Sequence, residues 1–257
     1  MLVEMGITPI WVLRDTEPST PPVEAAVVEV EACAPVPGAA PAIAPEPAPL
    51  PRPAPAVALR PISPVNNLGW PELANQVAEC RACQLCEQRK QAVLGVGDLN
   101  PDWLFIGEGP GAEEDVKGEP FVGQAGKLLD AMLAALDIAR GDRVYIANAV
   151  KCRPPGNRTP EAAEMAACRP YLERQIALLK PKIIVLLGKA AVHAVLHDDK
   201  SLATLRGKRY EYAGIPMVVT YHPAYLLRNL PDKAKAWEDL LFARRLLRDA
   251  ASPELPF

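Results

Sequence analysis

The chain has 257 residues, 49% of them hydrophobic, and a formal net charge of −3, which is too small to indicate a polyanionic or membrane-surface partner. No run of 18 apolar residues exists, which excludes a transmembrane helix, and Glu4 interrupts the positively charged start of a secretory signal. We therefore expect a cytoplasmic, monomeric protein that makes no membrane contact.

The first 66 residues differ in composition from the rest. They hold 15 of the 29 prolines, many of them in the run 44–56, and seven acids against three arginines. Without periodicity, such a stretch cannot bury enough apolar surface to offset its ordering entropy. We predict a disordered Pro/Ala-rich extension over 1–66 with a linker at 17–66, which is either a spacer or a tail for a protein partner. Met1–Leu13 could order as a short peptide motif, and Cys33 is not expected to bind metal.

Residues 67–257 alternate between apolar runs and helical patterns, and we predict that they form one domain. The predicted strands are 103–107, 144–150, 182–188 and 216–220, and the predicted helices are 123–139, 159–180, 189–197 and 232–249. Strands that are apolar throughout and separated by helices indicate a parallel sheet that is covered on both faces. The predicted fold class is therefore α/β.

The loops that follow these strands should meet at one edge of the sheet. Ligands of parallel α/β sheets bind beyond the carboxyl ends of the strands. The segments expected there are 107–115, 148–156, 188–190 and 221–228. The first, GEGPGAEED, contains four acids and is a poor cradle for a phosphate, so the predicted ligand is of another kind.

Five of the six cysteines lie in the predicted domain. In a reducing cytoplasm such a set indicates metal binding rather than disulfides. Cys80 and Cys83 form a close pair, whereas Cys152 follows a strand and Cys168 lies in a helix. This spacing leaves an iron–sulfur cluster and a zinc ion nearly equally open, with unligated core cysteines as a third alternative. Cys86 is interpreted as a bystander, because a fifth thiolate has no place.

Four ordered segments carry a resemblance to a known family. They are CRACQLCEQR (80–89), GEGPGAEEDVKGEPFVGQAGKLLD (107–130), YIANAVKCRPPGNRTP (145–160) and YHPAYLLR (221–228). Together they closely resemble the family 4 uracil-DNA glycosylases, over about residues 68–250. The resemblance implies a three-layer α/β/α sandwich around a four-stranded parallel sheet. One departure is Ala112, where many members of that family have glutamate.

The resemblance also implies a cofactor, a substrate and an activity. The cofactor is a 4Fe–4S cluster held by Cys80, Cys83, Cys152 and Cys168. The substrate is uracil-containing DNA, from which uracil must be flipped out of the stack before its N-glycosidic bond can be hydrolysed. The motifs contain no lysine nucleophile, so the expected product is an abasic site without strand cleavage.

Three side chains are expected to bind or act on the flipped uracil. Phe121 is the candidate stacking ring, with an ordinary core phenylalanine as the alternative. The carboxamide of Asn148 could donate to O4 and accept from N3–H, a pattern that cytosine reverses; a turn-capping asparagine is the alternative. His222 is expected to donate to O2 and stabilise the leaving anion. His193 and His197 are predicted to be structural.

The glycine-rich turn is expected to approach the flipped nucleotide. Gly109 lets the backbone come close, and the N–H groups of 108–111 could support the leaving anion. The better-studied uracil glycosylases have an aspartate at the Gly109 position that orients the attacking water, and this chain has none there. Glu108 and Glu114 are the candidate catalytic replacements, with Glu114 alternatively excluding the 5-methyl group of thymine.

The segment after His222 is expected to contact DNA through Tyr225, Leu226 and Arg228. Leu226 is the candidate apolar wedge that fills the space left by the flipped base. Candidate phosphate contacts, each with a solvated surface residue as the alternative, are Arg228, Lys151, Arg153 and Arg158.

Two other functions remain open on the sequence. One is a non-catalytic iron–sulfur nucleic-acid-binding protein associated with repair or replication, and the other is a metal-stabilised hydrolase of a small nucleoside. The presence of both Asn148 and His222 favours a glycosylase over a binding protein, which would need neither. The loop at 225–228 argues against the nucleoside hydrolase.

Overall fold

The computed structural model describes residues 64–251. The predictions for Met1–Leu13, for Cys33 and for nearly all of the linker lie outside the described residues. The described part begins within the predicted extension, since Val65 is only 2% exposed and its carbonyl accepts from the Leu68 N–H at 3.1 Å. The last three residues of the segment predicted to be disordered therefore belong to the domain.

Six strands form one mixed sheet. They are β1 (Val96–Gly97), β2 (Trp103–Gly107), β3 (Val144–Asn148), β4 (Ile183–Leu187), β5 (Arg209–Tyr212) and β6 (Ile215–Thr220). Their order across the sheet is β1-β3-β2-β4-β6-β5. The four central strands are parallel, and β1 and β5 pair antiparallel at the two edges.

The predicted α/β class and the four parallel strands are confirmed, but the strand count of four is wrong. The two additional strands are edge strands that the hydrophobic pattern does not reveal. β1 has only two residues, and β5, with the sequence RYEY, alternates between exposed and half-buried positions. An edge strand with one wetted face gives no continuous apolar run.

Eight α-helices connect and cover these strands in the described range. They are α1 (Trp70–Ala78), α2 (Ala112–Lys117), α3 (Gln124–Ala134), α4 (Ala162–Leu179), α5 (Lys189–Leu196), α6 (Leu202–Leu205), α7 (Pro223–Leu226) and α8 (Asp232–Ala251). Short 3₁₀ turns lie at Gln84–Cys86 and Pro155–Asn157. None of these helices is long and apolar enough to cross a membrane.

Two predicted helix ends shift for identifiable reasons. α4 begins at Ala162 rather than near 159, because Glu161 is its N-cap and forms a capping box with Glu164. α3 ends at Ala134 rather than near 139, and Asp137 just beyond it adopts a left-handed φ of 60°.

Side chains alternate between the two faces of the sheet and build two apolar layers. On one face, Phe105 packs with residues of α3 and α8. On the other face, Leu104 packs with residues of α4 and α5. The result is the α/β/α sandwich that the resemblance implies, and it brings the carboxyl ends of the parallel strands to one edge.

A third apolar cluster lies beside the sheet, between α1 and α4. It contains Leu73 and Val77 of α1, Tyr171 of α4, and the buried Cys152 and Cys168. The cysteines are thus embedded in a separate layer of core rather than in the sheet sandwich.

Candidate active site

A cleft of about 890 Å³ lies beyond the carboxyl ends of the parallel strands. All four segments expected at this edge contribute to its walls. Its lining includes Glu108, Gly109, Glu114, Phe121, Asn148, Arg158, Lys189, His222, Tyr225 and Arg228. A cavity of this size holds a base with room for part of its nucleotide.

The floor of the cleft depends on the pairing of β2 with β3. Gly107 at the end of β2 pairs with Asn148 at the end of β3. A Cβ atom at Gly107 would lie 2.5 Å from Asn148 Oδ1 and 2.5 Å from Cζ of Phe121. Glycine at this position therefore allows the amide and the aromatic ring to meet over the strand end.

The carboxamide of Asn148 is buried and incompletely paired. The residue is 2% exposed, and its Oδ1 has no hydrogen-bond partner among the residues that the structure describes. A buried polar atom without a partner costs free energy unless a ligand or water satisfies it. A turn-capping role for Asn148 would engage this oxygen, so the arrangement favours a ligand-reading amide.

Phe121 and His222 face each other in the cleft. Their ring centroids are 5.4 Å apart with an interplanar angle of 29°. Phe121 is 5% exposed and also joins the core cluster of the α3 face, so its ring is both a cleft wall and a core residue. Its backbone has a left-handed φ of 55°, which non-glycine residues rarely adopt.

The ring of His222 is held as a neutral hydrogen-bond donor. Its Nδ1 accepts from the Ala224 N–H at 3.1 Å at the start of α7, which leaves the proton of the neutral ring on Nε2. Burial and, to a smaller extent, the positive charge of Arg228 lower the pKa of His222 to about 4, and Glu114 opposes the shift. At neutral pH the side chain therefore donates without carrying a charge.

The two candidate carboxylates have different environments. Glu114 accepts from the Gly111 N–H at 3.0 Å through Oε2, and from the N–H groups of Val122 and Gly123 at 3.0 and 3.1 Å through Oε1. Both of its oxygens thus join the glycine-rich turn to the turn that carries Phe121. Glu108 lines the cleft, and burial raises the pKa of its carboxyl while a hydrogen bond with Thr159 lowers it.

Gly109 packs against the loop that follows β3. A Cβ atom at this position would lie 2.8 Å from Cγ2 of Val150. The Val150 N–H donates to the Glu108 carbonyl at 3.1 Å, which continues the β2–β3 pairing into the loops. The space beside Gly109 is therefore occupied by the neighbouring segment.

The loop after His222 presents different residues from those predicted. Leu226, the predicted wedge, is 1% exposed and packs with Tyr221 and Ala236, because it lies in the last turn of α7 against the domain. Its neighbour Leu227 is 42% exposed. Leu226 is thus a core residue, and Leu227 is the exposed apolar side chain within the predicted segment 221–228; Leu230, just beyond that segment, is also exposed.

Tyr225 and Arg228, which are predicted to contact DNA, both line the cleft. The Tyr225 hydroxyl donates to Asp232 Oδ2 at 2.7 Å, and its ring stacks on that of Tyr221 at 5.1 Å. These contacts hold the loop against the start of α8.

The basic side chains predicted to bind phosphates are mostly engaged elsewhere. Lys151 is 1% exposed and its Nζ donates to the Asn148 carbonyl at 2.8 Å, so it is not a surface contact. Arg158 makes two hydrogen bonds to Glu164 at 2.9 and 2.7 Å. Arg153 donates to Asn157 Oδ1 at 2.7 Å. Within residues 64–251, Arg228 is the member of this group that lines the cleft without forming an ion pair.

The four cysteines of the implied ligand set line one small cavity. Its walls include Cys80, Cys83, Cys152, Cys168, Arg89 and Lys151. Cys86 is not among the lining residues. Within residues 64–251, no three His, Cys, Asp or Glu side chains converge closely enough to hold a single metal ion.

The chemistry of this cavity fits a negatively charged cluster of thiolates. Burial raises the pKa of Cys152 to about 11 and that of Cys168 to about 12, so these thiols ionise only with compensating charge. Arg89 provides such a charge, since its Nη1 donates to Cys152 Sγ at 2.8 Å. The Lys151 backbone N–H donates to Cys168 Sγ at 3.3 Å. Burial lowers the pKa of the Lys151 ammonium to about 8, and in its charged form it supplies a second positive charge beside Cys168.

Sequence reasoning missed Arg89, although it lies in the first of the four motif segments. Its Nη2 also donates to the carbonyls of Ala78 and Cys80, so one guanidinium joins three parts of the cysteine region. The sequence does contain a signal, because Arg89 follows the Cys80–Cys83 pair closely and buried thiolates need a nearby positive charge.

Comparison with known proteins agrees with this geometry. A family model described as the uracil DNA glycosylase superfamily matches residues 94–241. The type-4 uracil-DNA glycosylase of Thermotoga maritima is 42% identical over 180 residues, which cover 68% of this chain and 93% of that protein. The type-4 enzyme of Pyrobaculum aerophilum is 42% identical over 177 residues, which cover 66% and 90%.

Similarity to another type is weaker. The type-5 uracil-DNA glycosylase of Pyrobaculum aerophilum is 32% identical over 149 residues, which cover 52% of this chain and 66% of that protein. The region that the family model matches, residues 94–241, includes the strand ends, the Phe121 turn and the His222 loop, which together build the cleft. The chain therefore belongs to the uracil-DNA glycosylase superfamily and, within it, to the type-4 family.

Proposed function

We propose that the protein is a monofunctional uracil-DNA glycosylase that flips uracil out of DNA and hydrolyses its N-glycosidic bond. The observation that carries this proposal is the buried, unpartnered Oδ1 of Asn148 beside Phe121 and the neutral ring of His222. The proposed activity belongs to the domain that residues 64–251 form. The role of the preceding extension as an attachment for a protein partner stays a prediction.

Recognition of uracil rests on Asn148 and Phe121. The flipped ring packs against Phe121, and the carboxamide donates to O4 and accepts from N3–H. Cytosine presents a donor where uracil presents O4 and an acceptor where uracil presents N3–H, so it opposes both bonds. Burial of the amide strengthens this discrimination, because an unmatched polar atom finds no water to replace the lost partner.

Bond cleavage rests on stabilising the uracil anion as it leaves. His222 donates from Nε2 to O2, where negative charge develops. A neutral donor suits this task because its hydrogen bond strengthens as the charge forms, while its orientation is fixed in advance by the Ala224 N–H on Nδ1. In the glycine-rich turn Glu108 and Gly109 offer further N–H donors, whereas Pro110 has none and the Gly111 N–H is bound by Glu114.

The attacking water is oriented by Glu108 in this proposal, and Glu114 has a positioning role. Glu114 already accepts three backbone hydrogen bonds, which leaves little capacity for a water molecule. Glu108 lines the cleft, and its raised pKa brings it nearer to the range of a general base. As a carboxylate it also stabilises the cationic sugar that forms when uracil departs.

A 4Fe–4S cluster held by Cys80, Cys83, Cys152 and Cys168 is part of the proposal. When bound, the cluster would cross-link the segment before β1, the loop after β3 and α4, in a cavity that shares no lining residue with the cleft. Arg89 and Lys151 supply the positive charge that buried thiolates require. Lys151 also binds the Asn148 carbonyl, so the cysteine site supports the strand end that reads uracil.

The direct test uses an end-labelled oligonucleotide that contains one uracil. The full-length protein should convert it to a product that breaks at the uracil position only after alkali treatment. Strand cleavage without alkali would contradict a monofunctional enzyme, and an intact oligonucleotide with retained binding would favour the non-catalytic alternative.

Replacing Asn148 with Asp should lower uracil excision on the order of 10²-fold or more, because two buried bonds are affected, each worth about 1–3 kcal/mol. An ionised Asp only accepts, so it repels O4 and suits the amino group of cytosine. Single-turnover excision of uracil and of cytosine measures the change. Normal excision of uracil by this variant would show that another group recognises the base.

The matched comparison is His222→Ala. This variant should also slow excision, by about 10²-fold for the loss of one donor to the leaving anion. Its preference for uracil over cytosine should not change, because both bases carry O2. A changed preference would assign base recognition, rather than leaving-group stabilisation, to His222.

The pH dependence should identify the water-orienting group. Glu108 is active as a carboxylate, and its pKa lies above the ordinary value of 4.5. The rate of excision should therefore be maximal at pH values above that pKa and should decline as the pH falls through it. His222, with a pKa of about 4, becomes protonated at lower pH than Glu108, and the Glu108→Gln variant distinguishes the two groups.

Single-turnover rates as a function of pH provide the measurement. Glu108→Gln should be slower by about 10²-fold and should lack the decline, as expected for the loss of a general base. Glu113→Gln, which alters an exposed neighbouring carboxylate outside the cleft, is the control and should keep both the rate and the profile. A decline that persists in Glu108→Gln would contradict the assignment.

The proposed ligand set predicts how much iron each cysteine variant retains. The purified protein should contain about four irons per chain, since four thiolates hold a 4Fe–4S cluster. Serine at Cys80, Cys83, Cys152 or Cys168 should remove most of this iron, whereas Cys86→Ser should retain it. One zinc and no iron after anaerobic purification, or loss of iron in Cys86→Ser, would refute the ligand set.

The two leucines of the His222 loop should behave differently. Leu227→Ala should leave the free energy of unfolding unchanged, because the side chain is exposed. It should slow excision from double-stranded DNA by about tenfold, because a side chain in the vacated stack offsets part of the cost of unstacking and unpairing the base, which is a few kcal/mol. Single-stranded DNA should be less affected. Leu226→Ala should instead destabilise the fold by about 2–5 kcal/mol, as for a buried leucine. Chemical unfolding and excision assays on both substrates distinguish the two; equal rates for Leu227→Ala and the wild type would exclude the wedge.

A further inference from the structure

The turn that carries Phe121 needs support from outside the cleft. Phe121 adopts a φ of 55°, a conformation that persists in non-glycine residues only when the surroundings hold it. Its ring must nevertheless keep a fixed position between Gly107 and the ring of His222. The groups that hold the backbone of this turn therefore control the geometry of the base-binding wall.

One guanidinium binds the two carbonyls of this turn. Arg140 lies in the loop between α3 and β3, and its Nη1 donates to the Pro120 carbonyl at 2.7 Å. Its Nη2 donates to the Phe121 carbonyl at 2.8 Å. The Arg140 side chain is 22% exposed and is not among the residues that line the cleft, so it does not reach a bound base.

The guanidinium is itself held in place. Asp130 on α3 accepts from Arg140 Nε at 3.2 Å and from Nη2 at 3.0 Å, both through Oδ1. The Phe121 carbonyl occupies the space beside Gly126, where a Cβ atom would lie 1.7 Å from its oxygen. Asp130 on α3 thus fixes the position and orientation of the Arg140 guanidinium, and α3 itself begins directly after the turn.

The opposite side of the same turn is held by a carboxylate. Glu114 accepts from the N–H groups of Val122 and Gly123, which follow Phe121 directly. The carbonyls of 120 and 121 are therefore bound by a cation and the N–H groups of 122 and 123 by an anion. Charge-assisted bonds of this kind are stronger than those between neutral groups, so the turn is fixed from both sides.

We propose that Arg140 is a positioning residue for uracil recognition, which acts by holding both carbonyls of the Pro120–Phe121 turn and thereby fixes the Phe121 ring against the flipped base. The inference rests on the proposed function, because it assigns Arg140 to the same base-binding wall. Arginine suits the role because its planar fork reaches two carbonyls at once, whereas the ammonium of a lysine is a single point charge.

The experiment uses the full-length chain and a duplex oligonucleotide with one uracil. Arg140→Ala should slow single-turnover excision by about 10- to 100-fold, the range expected when a reacting group is displaced by a fraction of an ångström to an ångström. Arg143→Ala is the matched control, since it removes the same charge from the same loop and its contacts are to Asp102 and Asp142. It should excise uracil at the wild-type rate.

A double-mutant cycle separates positioning from general stability. If Arg140 acts only through Phe121, adding Arg140→Ala to Phe121→Ala should cause no further loss of excision. Arg140→Lys, which keeps the charge and binds one carbonyl, should lose less activity than Arg140→Ala. Equal rates for Arg140→Ala and Arg143→Ala, or losses that multiply in the double variant, overturn the inference. A wild-type chain that leaves uracil in place overturns the proposed function and this inference with it.

Discussion

The parallel pairing of β2 with β3 is the constraint on which the cleft depends. It sets Gly107 opposite Asn148, and the absence of a side chain at Gly107 allows the amide to meet the Phe121 ring. A register shift of one residue would turn the Asn148 side chain to the other face of the sheet. Because each strand is buried on both faces, the hydrophobic core holds this register, and recognition of the base derives its precision from packing.

The surrounding loops are fixed by charges that bind backbone groups. Glu114 gathers three N–H groups, Arg140 binds two carbonyls, and Lys151 binds the carbonyl of Asn148. Loops have few apolar contacts of their own, so ionic hydrogen bonds to the main chain replace the missing core. A small number of residues can therefore bind the substrate, because Glu114, Arg140 and Lys151 hold their backbone in position.

Much of this arrangement was predictable from the sequence. Continuous apolar runs identified the four parallel strands, whose ends placed Asn148 and His222 at one edge, and the family resemblance added Phe121. Contacts between distant residues were not predictable, because the local sequence around a basic residue does not reveal its partner. Lys151 was expected to bind DNA phosphate, whereas its ammonium binds the buried carbonyl of Asn148. Leu226 and Leu227 likewise differ only in the direction that a single turn of helix gives them, which hydrophobicity does not encode.

The packing of Gly109 against Val150 limits which sequences this site can adopt. A Cβ atom at 109 would lie 2.8 Å from Cγ2 of Val150, so an acidic residue introduced there displaces the Val150 side chain. A smaller residue at 150, one residue before the lysine that supports Asn148, would relieve this contact. The two positions should therefore vary together among related chains, and a change in which carboxylate activates water is coupled to the packing of the loop after β3.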